Sequence, residues 1–422
     1  ILISSASSGT TADFIVSGNT ISNGNAAFGG DDIAILSSSK TWRFVVQNNF
    51  CYSNNGSGIG LSQGNSTGGQ LSDGLITGNN VENKQRHGIY TYGDQSQAFT
   101  PYNITISNNR IVDVGWIGIY INEHGTDIII DANQVADVAK SIVGSLPWAC
   151  IGGVATNKDG KRLIVTNNIC DGWNGYSGIN LVGFHNCVVS NNVLLGDGTA
   201  SAAVTSHAIS LQDCYYTTIE NNNITLTGVE GGGVVWGYLD SSATYYGCNT
   251  KNNIIIEPSY SGVAYTGSTA GTFAYCQIEG NYIDMDNDND YQIQLENSNN
   301  FILKSNTLIN GAGTIADILL TNCDNNLIDG NKLIHNRSTG YSIYLPASTS
   351  SGNTITNNDF SGISGLTNLD DYIKNSGTNT TILSNKYKSG ALTGSFTCSA
   401  AATTVVSNAN SNVNMKVTLV PT

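Results

Sequence analysis

An asparagine with an apolar side chain two residues later recurs along almost the whole of this 422-residue chain. Successive positions differ by 24 to 34 residues. A unit of that length cannot bury its own apolar face and has to stack on its neighbours, so the period predicts a solenoid. The recurring residues are Asn19, Asn48, Asn79, Asn109, Asn133, Asn167, Asn191, Asn222, Asn252, Asn281, Asn306, Asn331, Asn358 and Asn385.

Each unit contains three short apolar runs separated by glycine and asparagine. Between residues 177 and 195 these runs begin at Ile179, Val188 and Val193. Runs this short, bounded by turn formers, are typical of strands, and the 48 glycines agree with many turns. Leucine-rich repeats have a similar period, but their regular leucines and helical half are missing here. The sequence therefore predicts an all-β solenoid, and an apolar share of 40% is sufficient for its core.

The charge and hydropathy of the chain exclude two classes of partner. With a net charge of −14 and only 17 scattered Lys and Arg residues, it has no basic stripe for nucleic acid. No stretch of about 18 apolar residues is present, so we expect no membrane insertion. The chain begins at Ile1 without an initiator Met or a signal-peptide pattern, and we expect it to start inside a larger protein.

Nine cysteines are an odd number, so at least one is unpaired. Six of them lie in or beside apolar runs, where cysteine behaves as a small buried hydrophobe. No Cys or His spacing fits zinc, and we expect neither a metal nor a cofactor. The six are Cys51, Cys150, Cys170, Cys187, Cys248 and Cys276.

The order strand, turn, strand, asparagine pair, strand, variable loop resembles the repeat of the right-handed parallel β-helix over about residues 15–390. The resemblance implies a single-stranded β-helix of about 14 coils, in which the asparagine takes the left-handed turn between second and third strands and stacks as a ladder. At about 4.8 Å per coil the rod would be on the order of 60 Å long. We assign residues 1–390 to this domain.

The pattern stops after Gly390, and residues 391–422 alternate like the edge of a β-sandwich. This segment resembles the opening of a small C-terminal domain of phage tail proteins and breaks off within it. Together with the β-helix it resembles bacteriophage tailspikes, in particular capsule depolymerases of the Acinetobacter-phage type. The resemblance implies a homotrimer in the virion tail that binds and usually cleaves a bacterial surface polysaccharide.

Side chains alternate along a strand, so Tyr90 and Tyr92 are expected to point outward, as are Tyr120 and Asn122 one coil later. Exposed rings in a row suit sugar rings, whose C–H faces stack on aromatics while their hydroxyls meet amides. A trimer interface would have the same aromatic and arginine-rich composition, so both interpretations stay open. The expected strip also contains Arg86, His87, Trp116, His124, Trp148, Trp173, Tyr176, Asn180, His185, His207, Gln212, Trp236 and Tyr238.

Hydrolysis of a glycosidic bond needs two carboxyl groups about 5 to 9.5 Å apart. Glu123 ends a first strand beside the aromatic residues, and we expect it to be the protonated general acid. Asp94 or Asp113 would be the partner carboxylate. Glu82 lies 31 residues before Asp113, where the corresponding third loop begins.

A second acidic group, near His207 and Trp236, stays open as an alternative. It consists of Asp213, Glu230 and Asp240.

Other motifs are weaker. The acidic run 284–290 lacks the glycine of a calcium loop and fits an ordinary acidic turn better. Residues 158–162 could supply the Lys or Arg base of a lyase, but they fit a hairpin turn equally well. The Asn-Thr-Asp, Gly-His-Gly and Arg-Ile-Lys motifs of β-helix pectinases are absent.

From these observations we expect an endo-acting hydrolase of a capsule, exopolysaccharide or O-antigen. A polysaccharide lyase on the same fold and a receptor-binding spike without catalysis are the alternatives.

Overall fold

Parallel strands stacked coil upon coil make up nearly all of the structure, which is a computed structural model. It describes residues 1–5, 9–22, 30–52, 56–63, 70–92, 101–140, 148–155, 159–173, 177–196, 207–227, 231–237, 244–267, 272–285, 291–311, 315–336, 339–346, 350–366 and 369–387. The expected C-terminal domain, 391–422, lies outside these residues, as do 286–290 of the acidic run.

Within the described residues, to which the strand counts below refer, three long sheets run along the solenoid, and successive coils add strands to them in turn. The first sheet has 14 strands: Leu2–Ser5, Ile33–Ser37, Ile59–Gln63, Ile89–Tyr92, Ile119–Asn122, Ala149–Val154, Ser177–Val182, His207–Gln212, Val234–Gly237, Ser261–Thr266, Tyr291–Glu296, Ala316–Thr321, Tyr341–Leu345 and Ile373–Asn375.

The second sheet has 15 strands: Thr10–Ser17, Lys40–Gln47, Gln70–Thr77, Pro101–Ser107, Thr126–Asp131, Gly160–Thr166, Phe184–His185, Val188–Ser190, Thr218–Glu220, Asn249–Lys251, Gln277–Glu279, Ile302–Lys304, Leu327–Asp329, Thr354–Thr356 and Thr381–Leu383.

The third sheet has 12 strands: Thr20–Ile21, Phe50–Tyr52, Asn80–Lys84, Arg110–Val114, Gln134–Val138, Ile169–Trp173, Val193–Gly196, Asn223–Leu226, Ile254–Ile256, Tyr282–Asp284, Thr307–Ile309 and Lys332–Ile334. A small fourth sheet contains Thr244–Tyr246, Thr272–Ala274 and Ser298–Asn299. Among the described residues, no helix is long and apolar enough to cross a membrane, and the helix Leu369–Tyr372 has four residues.

The core is built from side chains that point inward at the same place in every coil. Because the strands pair in parallel register, identical positions stack directly on one another, and each fully buried isoleucine contributes roughly 1.5–3 kcal/mol. The prediction of a right-handed parallel β-helix of about 14 coils is confirmed. One such fully buried stack is Ile59, Ile89, Ile119, Ile151, Ile179 and Ile209.

An unbroken asparagine ladder follows the corner between the second and third sheets. In each rung the backbone N–H and side-chain amide donate to the Oδ1 of the next asparagine, as Asn192 does to Asn222 at 3.0 and 2.9 Å. The same amide donates to a second-strand carbonyl, that of Val165, at 3.0 Å. The ladder comprises Asn19, Asn49, Asn79, Asn109, Asn133, Asn168, Asn192, Asn222, Asn253, Asn281, Asn306, Asn331, Asn358 and Asn385.

The expectation that one asparagine both turns the chain and forms the ladder is wrong. The left-handed residue is the one immediately before the ladder residue, for example Asn191 with φ 55° before Asn192. In four coils the sequence pattern selected this neighbour instead of the rung. These residues are Asn48, Asn167, Asn191 and Asn252.

The cysteine prediction is confirmed for the described residues. Eight cysteines are free and buried, and burial raises the pKa of Cys51, Cys187 and Cys323 to about 12. They therefore behave as small core side chains.

Because one residue makes the turn and the next forms the rung, substitutions at the two positions should lower the free energy of unfolding by different amounts. Asn192→Ala leaves the buried amide and N–H of Asn168 without their acceptor and should lower the free energy of unfolding by about 3 kcal/mol. Asn191→Gly keeps a residue suited to positive φ and should change it by less than about 0.5 kcal/mol. Urea unfolding of both variants measures this, and equal losses would contradict the assignment of the rung.

Candidate functional site

Five rings pack against one another at the N-terminal ends of three neighbouring first-sheet strands. They are called the aromatic cluster: His87, Tyr90, Trp116, Tyr120 and Trp148. The His87 ring stacks on Tyr120 with centroids 4.9 Å apart and meets the Trp116 ring edge-on at 5.2 Å. Tyr90 lies 5.5 Å from His87, and Trp148 meets Trp116 at 5.7 Å. The coil register brings these residues together, because Tyr90 pairs directly with Tyr120.

A carboxyl group that the sequence analysis missed lies against this cluster. The hydroxyl of Tyr90 donates a hydrogen bond of 2.7 Å to the half-buried Asp31. Gly60, between them in the sheet, makes the contact possible, since a Cβ there would lie 2.4 Å from Asp31 Oδ2. Burial raises the pKa of the Asp31 carboxyl, although hydrogen bonds from Tyr90 and Ser57 and the charge of Arg86 act in the opposite direction.

Arg86 supplies the positive charge of the site. Its guanidinium lies over the Trp116 ring, 5.4 Å from the centroid. Burial, together with this charge, lowers the pKa of His87 to about 3, so the imidazole is neutral at pH 7. Burial and the neighbouring Asp31 carboxyl raise the pKa of Tyr90.

The expected row of exposed rings is therefore shorter and better covered than the sequence suggested. Trp148 is fully buried, His87 is 7% and Tyr120 4% exposed, because the rings cover one another. Tyr92 is 51% exposed and points outward as predicted. Asn122 points outward too, but it is nearly buried and accepts a 3.0 Å hydrogen bond from the Tyr120 hydroxyl.

Three other residues of the expected strip make contacts that support the fold. Trp173 at the end of its third-sheet strand and Trp236 within the first sheet are buried, and Trp236 donates to Thr250 at 3.0 Å. His207 accepts a hydrogen bond from the N–H of Gly232 at 3.0 Å, and burial lowers its pKa to about 4.

The remaining members of the strip continue away from the aromatic cluster. Asn180 lies two coils beyond Tyr120 on the outward face and is 6% exposed. Gln212 ends a first-sheet strand, and the His185 ring stacks on Tyr215. Tyr176 and Tyr238 lie outside the described residues.

Of the acids chosen from the sequence, Glu82 and Asp113 lie on neighbouring coils of the third sheet, and Glu123 lies apart from them at the end of a first-sheet strand. Glu123 is only 1% exposed, which contradicts its expected position on the surface. Glu82 and Asp113 belong to third-sheet strands, where they pair with Arg110 and Lys140. Asp94 lies outside the described residues.

The alternative group and the lyase segment are also apart from the cluster. Asp213 is 2% exposed and accepts a hydrogen bond from the Tyr245 hydroxyl, while Glu230 and Asp240 lie outside the described residues. Arg162 pairs with Asp127 across the second sheet at 2.6 Å.

His124 adjoins Glu123 and lies just after the end of the first-sheet strand Ile119–Asn122. Its imidazole pairs with the Asp159 carboxylate of the next coil. Both residues stand where the chain leaves the first sheet, so this pair is a separate polar contact and not a member of the aromatic cluster.

Two features could have been found from the sequence but were not. Asp31 precedes the second first-sheet strand in a Gly-Gly-Asp-Asp run, one coil before the coil that contains Glu82. Tyr216, Tyr246 and Tyr275 recur about one coil apart, between first and second strands, and are 55, 40 and 66% exposed. That recurrence was the available signal.

Comparisons with known proteins agree on the architecture. The family described as "Right handed beta helix region" matches residues 2–145, 72–248 and 207–386. A comparison with curated protein sequences found no match.

Two solved structures are similar in fold. The Dettilon tailspike protein aligns over 78% of this chain and 62% of its own, with a TM-score of 0.54 and 14% identity. The A-module of the Azotobacter vinelandii mannuronan C-5 epimerase AlgE4 aligns over 89% and 91%, with a TM-score of 0.50 and 12% identity. This chain thus spans less than two thirds of the tailspike structure.

The neutral buried His87 predicts a pH dependence of stability. Its pKa is lowered on folding from about 6.5, so its contribution is complete above about pH 6.5 and is lost as the pH falls towards about 3. The free energy of unfolding should fall by at most about 1.4 kcal/mol for each pH unit in this range. His87→Phe keeps a stacked ring and should remove this part of the slope. Urea unfolding between about pH 7 and pH 5 tests it, and an unchanged slope in the variant would contradict the assignment.

Proposed function

The chain belongs to the right-handed β-helix family, and on that premise we propose that it is a tailspike-type depolymerase that binds and hydrolyses a bacterial surface polysaccharide. The observation that carries the proposal is the half-buried Asp31 carboxyl held by Tyr90 beside the aromatic cluster. The similarity in fold to a tailspike supports the class of protein.

The chemistry of the site fits protonation of a glycosidic oxygen. A general acid has to hold its proton near neutral pH, and burial raises the pKa of Asp31 in that direction. The exposed ring of Tyr92 offers a face for a sugar C–H surface, and the outward first sheet gives the polymer a linear path across successive coils. In this role Asp31 replaces Glu123, which solvent barely reaches.

The partner carboxylate is proposed from the sequence. Asp94 follows the strand Ile89–Tyr92 by two residues and remains the candidate base or nucleophile. We propose Asp31 and Asp94 in place of Glu82 and Asp113, which pair with basic side chains on the third sheet.

A lyase remains the second candidate because Arg86 and neutral His87 adjoin Tyr90. Abstraction of a proton next to a uronate carboxylate needs a cation to balance the carboxylate and a group to take the proton. Arg86 could provide the first function, and its charge already acts on both Asp31 and His87. A lyase would leave an unsaturated sugar that absorbs ultraviolet light.

We also propose a homotrimer in the virion tail, with the subunits meeting along the second sheet. One outward row of that sheet is mostly aliphatic over seven coils, and Ile15, Ile129 and Ile164 in it are 66, 38 and 37% exposed. A continuous apolar row on a sheet face favours a protein interface. The row consists of Ile15, Val45, Leu75, Thr105, Ile129, Ile164 and Val188.

The enzyme proposal predicts that Asp31→Asn abolishes cleavage. Asparagine is isosteric and still accepts from Tyr90, so polysaccharide binding should persist while the rate falls by about 100-fold or more. Capsules and lipopolysaccharides from a panel of strains are incubated with the protein, and new reducing ends and ultraviolet absorbance are recorded. Reducing ends without absorbance indicate hydrolysis.

Glu82→Gln and Asp113→Asn are the matched controls and should cleave at the wild-type rate. Full activity of Asp31→Asn would overturn its assignment as the acid. Binding without any shortening by the wild type would instead leave a receptor-binding spike.

The trimer proposal predicts a mass in solution of three times the 44.4 kDa chain. Ile129→Lys combined with Ile164→Lys places two charges in the interface and should yield monomers. Ile254→Lys on the third sheet, where the side chain is 44% exposed, is the control and should remain trimeric. Light scattering after gel filtration measures the mass, and a trimer of the double variant would contradict this interface.

A further inference from the structure

A second row of rings crosses the corner between the first and second sheets and is called the tyrosine strip: His185, Tyr215, Tyr216, Tyr246 and Tyr275. The His185 and Tyr215 rings are nearly parallel, with centroids 4.7 Å apart. Tyr216 meets Tyr215 edge-on at 5.5 Å, and Tyr246 stacks on Tyr275 at 6.3 Å. The strip spans four coils, or about 14 Å at 4.8 Å per coil step.

Backbone geometry sets two of these tyrosines apart. In eight consecutive coils the residue at this corner has positive φ, and its N–H hydrogen bond to the next coil recurs along the column, as in Asn186, Tyr216 and Asn300. Six coils use asparagine or glycine, which tolerate this conformation, whereas a bulky aromatic residue there is strained. The column consists of Asn186, Tyr216, Gly247, Tyr275, Asn300, Asn325, Gly352 and Asn379.

Packing does not explain the two exceptions. The side chains of Tyr216 and Tyr275 are 55 and 66% exposed, so neither fills the core. Gly247 lies between them in the column, and a Cβ there would come within 2.9 Å of the Tyr216 ring. The glycine thus leaves room for that ring. Strain retained without a gain in packing is typical of a functional surface.

The chemistry of the corner favours an uncharged, hydroxyl-rich ligand. In the described residues 185–187, 215–218, 244–249 and 272–277, no side chain is acidic, Lys or Arg. Charged side chains adjoin the His185 end of these ranges, where Lys161 pairs with His185 in register, and burial together with the charge of Lys161 lowers the pKa of His185. Flat exposed rings offer faces for sugar C–H groups, and Asn186, Asn249 and Gln277 supply amides for hydroxyls.

We propose that the tyrosine strip is a second glycan-binding site, separate from the aromatic cluster, that holds a neutral stretch of the polysaccharide chain. The inference takes its ligand class from the proposed function. A long polymer could contact both sites, whereas a short fragment could occupy only one, so the strip would increase the affinity for the polymer.

The test replaces both strained tyrosines by the residue that other coils use. Tyr216→Asn with Tyr275→Asn is made in an Asp31→Asn background, where the polysaccharide stays intact. Binding of a purified capsular polysaccharide that the wild type shortens is measured by affinity electrophoresis. The loss of two stacking rings should weaken binding by about tenfold or more. The melting temperature should stay equal or rise, because the backbone strain is relieved.

Tyr52→Asn is the matched control, since this tyrosine is 43% exposed on the third sheet and should leave binding unchanged. If the wild type cleaves the polysaccharide and the double variant binds it as tightly as its parent, only the strip proposal is overturned. A loss of oligomers with unchanged glycan affinity would overturn it too and would identify a subunit contact. If the wild type neither cleaves nor binds any polysaccharide of the panel, the proposed function fails and the strip proposal fails with it.

Discussion

Hydrogen bonds that run along the axis, from each coil to the next, determine everything else in this molecule. The asparagine ladder is their most regular part, since every rung satisfies a buried N–H and a buried amide with one oxygen of its neighbour. A coil that slipped by one residue would lose its rung and turn its apolar side chains outward. The core and the outward faces therefore keep one register over the full length, and function can vary from coil to coil without disturbing the scaffold.

Much of this scaffold could be predicted because its causes are local and repeated. The period, the three strands per unit and the outward Tyr92 follow from alternation and turn residues. The ladder position could not be derived fully. Both Asn191 and Asn192 precede an apolar residue by two positions, Val193 outside and Leu194 inside, so the pattern fits either. The rung is the asparagine on the buried face of the strand, and only the structure shows which face is buried.

The candidate site was harder to predict because burial on the outward face depends on neighbouring coils. Alternation gave the direction of Tyr120 and Asn122 correctly, but not that nearby rings and hydrogen bonds would cover them. Trp236 was expected on the outward face, but it points into the core and stacks on Tyr265. Asp31 escaped notice because its partner Tyr90 is 59 residues away, a distance that no local pattern records.

In the proposed complex the sugar chain lies on the outward first sheet with its scissile oxygen at Asp31. A crystal structure of the Asp31→Asn protein with a purified oligosaccharide repeat tests this most directly. We predict a sugar ring on Tyr92 and a glycosidic oxygen about 3 Å from the residue 31 side chain. An oligosaccharide seated at Glu82 and Asp113 on the third sheet, with the first sheet bare, would contradict it.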